Sequence, residues 1–483
     1  MATSPSTTDL PAKGQSAEQP ALPLLWLRLG RLANRTLSIP PLALVTTIVA
    51  IGYVLGYEFW NLKLGPLPLT TDRIGILLLI GLVGWQVLRG EARLPHITLI
   101  DWVLGATLLW LVVSAIWGHS SATPSTVQSP LWRLVFSFGL PALLYVAIRL
   151  SPVTPRATTG VLVVLMLLGT YLAITGLAEV TEQWWCVYPS YIRLPELGTH
   201  FGRARGPALN AVSMGTHLAI TFWATYILLP RLTPLQRLLA LGLMFCMGLA
   251  IIATYTRSVW LGATLAGIVM LWLQTPRHLR LPVAVATAMV GGLALAIGWN
   301  ALVYLDREDS GAVSGHSVSQ REAFTYVSWK MFCDHPVAGV GFGRFYDKKL
   351  PYLSDRSQSF ELESLRDLHH HNTFLGLLVE TGLIGLIGYT CLLIGWGRTA
   401  RAMAEQPYAS LQLRSMGQLL LVALAVYLPS ALFHDVSHIF QDQWLLFLIA
   451  GLAVATCEQS IWPDNGQLAQ PANAPFAPTV GLS

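Results

Sequence analysis

Charge is scarce in this chain: only 11% of its 483 residues are Asp, Glu, Lys or Arg, against roughly 25% in a soluble globular domain. That deficit excludes a soluble enzyme, a disordered chain and a coiled coil. Cysteine is sparse too, five in the whole length, which gives no disulfide framework. No early apolar segment ends in a small-residue cleavage site, so no removable signal peptide is expected. What the chain has instead is apolar residues. They make up 53% of it, and mean hydropathy is +0.54. Runs of about 20 apolar residues recur, the length that crosses a bilayer as a helix. The net charge of +5 then belongs to cytoplasmic loops rather than to nucleic-acid binding.

Hydropathy predicts an all-α polytopic membrane protein of about 12 spans. They lie near 41–58, 73–89, 99–118, 131–149, 160–179, 211–230, 237–255, 258–275, 282–305, 372–396, 415–433 and 440–457. Residues 1–35 and 461–483 read as disordered cytoplasmic tails around a membrane domain at 36–460. With the N-terminus inside, Arg89, Arg93, Arg149, Arg156, Arg231, Arg237, Arg277, Arg280, Arg398, Arg401 and Arg414 all fall in inside segments. This is the positive-inside pattern, and it places both termini in the cytoplasm. Two outside loops are long, 180–210 and 306–371, the second between spans nine and ten. Loops longer than about 15 residues are uncommon unless functional or disordered. Within the second, Arg321 to Phe332 has apolar residues at helical spacing and reads as an amphipathic helix lying at the interface. Cys186 and Cys333 both fall outside, where a pairing stays open.

Arginine carries the first chemical signal. Arg203 and Arg205 stand in GRARGPALN, Arg257 in TYTRSVWLG between two apolar spans, and Arg321 at the head of the interfacial helix. All four fall at the outer boundary, the side the positive-inside rule disfavours. A guanidinium fork fits phosphate oxygens; snorkelling or pairing with Glu196 or Asp306 is the plainer reading. The run His369-His370-His371-Asn372 opens the tenth span. Three adjacent His share no helical face and make a poor metal site. A single His there suits proton transfer, and a solvated loop with Asn372 as helix cap is the alternative. Gly339, Gly341 and Gly343 lack the strand and helix of a dinucleotide loop and read as a tight turn against the bundle. Gly376, Gly382, Gly385 and Gly388 allow close helix approach. Glu380, the one acid of the tenth span, pairs with a buried polar group or orients a His or Arg. His434, Asp435, His438 and Asp442 read as a solvated turn. Trp184, Trp185 and Tyr188 read as interfacial anchors.

The run HNTFLGLLVETGLIGLIGY, behind an Arg-led helix and the PVAGVGFGRF turn, resembles the O-antigen ligase/polymerase family. The GRARGPALN and TYTRSVWLG segments are similar to its two upstream Arg motifs. The resemblance covers roughly residues 200–400. It implies a GT-C-like membrane glycosyltransferase in a bacterial inner membrane, with its active site on the outer face. The donor would be a polyprenyl-diphosphate-linked glycan, and the acceptor a glycan or glycolipid hydroxyl. Matched residue by residue, Arg257 and Arg321 would hold the diphosphate, Arg205 would add a donor contact, and His371 would activate the acceptor. His370, Asn372, Glu380 and Arg203 would support them. No cofactor is implied, and no Asp-x-Asp metal pair stands in the outer loops. Ligase and polymerase share this donor chemistry. A protein-transferring branch is disfavoured because Pro207-Ala208-Leu209-Asn210 replaces a Gln-Pro-Asn run. A transporter is disfavoured because the ionisable groups cluster at one boundary and no internal repeat stands out.

Overall fold

A computed structural model describes residues 41–59, 61–64, 67–89, 95–117, 129–303, 314–355 and 362–461. The two predicted tails lie outside them, Ile461 excepted, as do residues 306–313 of the long loop. A helix stands at each of the twelve apolar stretches. In order they are α1 (Pro41–Phe59), α2 (Thr71–Leu88), α3 (Leu99–Trp117) and α4 (Pro130–Leu150). Next come α5 (Pro155–Val180), α6 (Ala211–Leu228), α7 (Pro234–Ala253), α8 (Arg257–Gln274) and α9 (Arg280–Val303). After α10 (Ser314–Asp334) follow α11 (Thr373–Glu405), α12 (Leu411–Phe433) and α13 (Phe440–Ile461). Among the described residues nine of these, α2 to α7 and α11 to α13, are long and apolar enough to cross a membrane. Gly56 breaks α1 with φ +69°, and Arg257 and Gln274 bound the apolar stretch of α8. One feature departs from the all-α expectation: a short antiparallel hairpin, Asn61–Leu64 with Leu67–Thr70, joins α1 to α2.

The C-terminal helices form the core. α12 packs against α11, α8, α13 and α6, while α13 packs against α4. In α12 and α13 72% of the apolar window is buried inside the protein, against 28% in α2, α3 and α7, so the former line the interior and the latter face outward. Trp396, Trp444, Tyr145 and Tyr389 fill the centre.

α11 is broken where it matters. Gly382 adopts φ +66°, and a Cβ there would sit 2.1 Å from the Val337 carbonyl oxygen, so only glycine fits. The break frees carbonyls that the Pro336–Phe342 turn collects. Val340 N–H donates to the Val379 carbonyl and Gly341 N–H to that of Glu380, both at 2.9 Å. The indole N–H of Trp110 takes the Thr381 carbonyl at 2.9 Å. An interrupted membrane helix is stable only when its freed groups are satisfied this way. Gly382 therefore kinks the helix and admits the Val337 turn rather than another helix, while Gly388 lies against Thr107 of α3 as close helix approach requires.

The amphipathic helix is present as α10, but its apolar face is covered by protein. Phe324, Val327 and Met331 pack with Phe345, Leu353, Leu362, Leu365 and Val379 in a small second core. That face was expected against the lipid interface; the residues after Gly343 fold back and bury it instead. Cys186 and Cys333 are both free thiols.

Candidate functional site

The ends of the bundle differ in chemistry. α4 carries Arg133 at one end and Arg149 at the other. Around Arg149 gather Asp101, Glu458 at 2.7 Å and the His96 carbonyl at 2.9 Å. The same end holds Arg280 with Glu405 at 3.2 Å and Arg231 with Ser415 at 3.0 Å. The end with Arg133 holds the sequence-predicted candidates.

Arg133, not among the candidates, is the hub there. It is 4% exposed, directly before a π-helical turn at Val135–Gly139. One guanidinium nitrogen donates to both Glu380 carboxylate oxygens, at 2.9 and 2.8 Å. The other donates to Ser437 Oγ at 2.8 Å and faces Asp435 at 3.4 Å. Glu380, of the two roles left open, pairs with this buried cation. An Arg inside an apolar span is a functional flag by default, and the fourth span shows it in the sequence.

The turn after α12 is a correction. It was expected to be solvated, yet Asp435 and Ser437 are buried, because Arg133 and the α11 N-terminus close over them. Ser437 donates to Asp435 at 2.6 Å, and Thr373 donates to the His434 carbonyl at 3.1 Å. Burial would raise the Asp435 carboxyl, but His438 at 3.4 Å and Arg133 outweigh it and hold it ionised. Asp442 belongs elsewhere: it accepts from Ser213 at 2.7 Å and faces His217 at 3.3 Å, deep between α6 and α13.

The three His residues diverge. His369 faces Tyr346 and His438, at 5.2 and 4.8 Å between ring centres. His370 is buried against Phe345, ring centres 3.5 Å apart and planes tilted by 32°, with neither ring nitrogen hydrogen-bonded. His371 keeps an exposed edge, while the rest of its ring is covered by neighbours including Phe324, edge-on at 5.0 Å. Burial lowers all three below the usual His range, His370 furthest. At His371 the Arg321 cation adds to that lowering and Asp435 opposes it. Asn372 caps α11, its side chain accepting from Leu375 N–H at 2.9 Å.

Arg321 stands within electrostatic reach of Arg257 and of His371. The affinity of Arg321 for its proton is lowered by burial and then by repulsion from Arg257. Arg321 also lies over the Phe433 ring at 5.8 Å. Two cations within electrostatic reach of each other and of an imidazole offer a site for a multiply charged anion.

Arg205 is not in this cluster. It is 1% exposed and donates to the carbonyls of Leu197, Ile192 and Leu194 at 2.6, 2.9 and 2.7 Å. Its own N–H and that of Gly206 donate to Glu179. Where a donor contact was expected, the side chain clamps the 190–210 loop. Arg203 lies half-buried two residues earlier. Of the aromatic anchors, Trp185 and Tyr188 are exposed, while Trp184 stacks on Phe201 at 6.0 Å.

Residues 242–390 match the family described as O-antigen ligase. This stretch is a domain of the O-antigen ligase/polymerase family. The matched O-antigen ligase stretch contains Arg257, Arg321, His371 and Glu380, and leaves out Arg133, Arg205 and Asp435. The chain is also similar to the exopolysaccharide production protein ExoQ of Rhizobium meliloti (strain 1021), 34% identical over 90 residues. That similarity covers 18% of this chain and 21% of the relative's length. With nine long apolar helices among the described residues, this protein is a multi-pass membrane protein.

Proposed function

We propose that this protein is a membrane glycosyltransferase of cell-surface polysaccharide biosynthesis, transferring a glycan from a polyprenyl diphosphate carrier to an acceptor hydroxyl. The observation that carries this reading is the juxtaposition of Arg257, Arg321 and His371 at one end of the bundle, within an O-antigen ligase domain. Arg257 and Arg321 grip the diphosphate. As the bond from sugar C1 to the diphosphate oxygen breaks, negative charge grows on the leaving group, and the two cations stabilise it more in the transition state than before it. His371 is kept neutral by burial and by Arg321. It takes the acceptor's proton as the acceptor oxygen bonds to C1, a contribution of about 10²–10⁴-fold. Attack opposite the leaving group inverts the anomeric centre. Arg133, Glu380 and Asp435 position this machinery without touching substrate. In this reading the bundle crosses a bacterial inner membrane about twelve times, termini inside and the cluster outside, as a GT-C-type enzyme acting without a metal.

A second reading, a polymerase joining repeat units, is favoured by the similarity to an exopolysaccharide production protein. One experiment tests both. Purified protein in detergent receives a polyprenyl-diphosphate oligosaccharide and candidate acceptors, with and without EDTA, and release of polyprenyl diphosphate and product size are followed. A single-step product supports a ligase and a ladder a polymerase, each insensitive to EDTA. No turnover by wild-type protein, or turnover undiminished by His371→Ala, overturns the proposal.

A further inference from the structure

The cluster has a neighbour that the proposed chemistry does not use. A cavity of about 750 Å³ opens between the end of α3 and the end of α10, lined among others by Trp110, Trp117, Asp334, His335, Lys348 and Tyr352. A second, of about 620 Å³, shares Asp334, Pro351 and Tyr352 with it and adds Trp329, Lys330 and Asp355. The two thus abut along one face of α10. Trp117 is 77% and Trp329 57% exposed, a cost that a membrane anchor or a ligand must explain.

The polar groups between these indoles narrow the choice. Tyr352 donates to Asp334 and Lys330 to Asp355, each at 2.6 Å. Acids with bonded donors do not suit a lipid tail, which offers them no partner. With Lys330, Lys348 and His335 in the same linings the charges are mixed, so no single sign of ligand charge is selected. Such linings suit a ligand with flat apolar faces and many hydroxyls, which is a saccharide chain: rings lie on indoles, and hydroxyls bridge acid and donor. The cavity is tied to the buried Arg133 network and to His370. Its wall residue Gly341 donates to the Glu380 carbonyl, and Glu380 holds Arg133. In the single helical turn Phe345–Lys348, Phe345 packs on His370 while Lys348 lines the cavity.

We infer that this groove of indoles and mixed polar groups is a saccharide-binding subsite, holding sugars of a glycan chain away from the reacting bond. The inference rests on the glycosyltransferase reading for its ligand class, and its test separates the two. The probe is oligosaccharide released by mild acid from the source strain's surface polysaccharide, titrated calorimetrically into the intact protein in detergent. Trp117→Ala, Trp329→Ala and Asp334→Asn lie on open surface and leave the core intact. Each is expected to weaken binding, Trp117→Ala with Asp334→Asn by roughly tenfold, with the melting temperature unchanged. In the transfer assay the same variants raise KM and leave kcat; a rise in acceptor KM assigns the groove to the acceptor glycan, and a rise in donor KM to the donor glycan. Oligosaccharide binding lost in the variants of a protein that shows no transfer keeps the groove and removes the transferase reading. Wild-type affinity in all three variants, or no binding by wild-type protein, overturns the groove.

Discussion

Replacing Arg133 by Met isolates the buried network. In the native protein Arg133 makes a two-pronged bond to Glu380 and reaches Ser437 and Asp435. Asp435 retains His438 at 3.4 Å, so Glu380 is the group left stranded, 1% exposed among apolar neighbours. A lone carboxylate there takes up a proton rather than stay charged. From an ordinary carboxyl value of about 4.3 and about 1.36 kcal/mol per pH unit, that uptake costs about 3.7 kcal/mol at pH 7. The sign follows from linkage. The folded variant holds one proton more than its unfolded chain, so its stability falls as pH rises, by about 1.4 kcal/mol per unit. In the native protein the Arg133 ion pair offsets the cost of burying that charge, so the native slope should be smaller. Destabilisation should therefore shrink to about 1.6 kcal/mol at pH 5.5. Adding Glu380→Gln removes the charge but keeps the acceptor that faces Phe345 N–H, and should restore most of the loss. Equilibrium unfolding in mixed micelles at several pH values measures all of this. A pH-independent loss, or one that Glu380→Gln does not relieve, would refute the reasoning.

The remaining predictions concern the site and its loop. Arg257→Ala or Arg321→Ala should lower kcat by about 10²–10³-fold, and Arg321→Lys should recover only part, since a point charge replaces a fork; wild-type rates in folded variants would remove the diphosphate clamp. Because burial and Arg321 hold His371 below its usual range, the base stays neutral and kcat/KM should be flat down to about pH 6.5 and fall only below it. An acid limb above that value, or one that persists in His371→Ala, would assign the base elsewhere, with His370 first in line. Arg205→Ala strips the donors from three loop carbonyls and should cost about 3 kcal/mol of stability, seen as a lower melting temperature; Arg205→Lys should not rescue it.

Much of this protein is legible in its sequence. Runs of apolar residues can only be satisfied in a bilayer as helices, so the positions of the helices follow from composition. Arg257 and Arg321 were legible because a guanidinium at a span end is costly enough to notice. By the same rule Arg133 could have been read, inside the fourth span. Other features are not encoded locally. Nothing within HDVSH marks Asp435 and Ser437 as buried; that follows from Arg133, some 300 residues earlier, closing over them. Nothing in GRARG tells a phosphate ligand from a carbonyl clamp, because a guanidinium serves both, and only the folded 190–210 loop gives Arg205 its partners. Gly382 reads as a small residue for close packing until the turn at Val337 occupies the space a Cβ needs. The sequence by itself determined the helices, their family and the chemical types at one boundary, since these depend on local hydropathy and short motifs. The tertiary structure alone decided which cation meets which acid, which His stays exposed, and which arginine holds the fold, since each depends on segments hundreds of residues apart brought within a few ångströms.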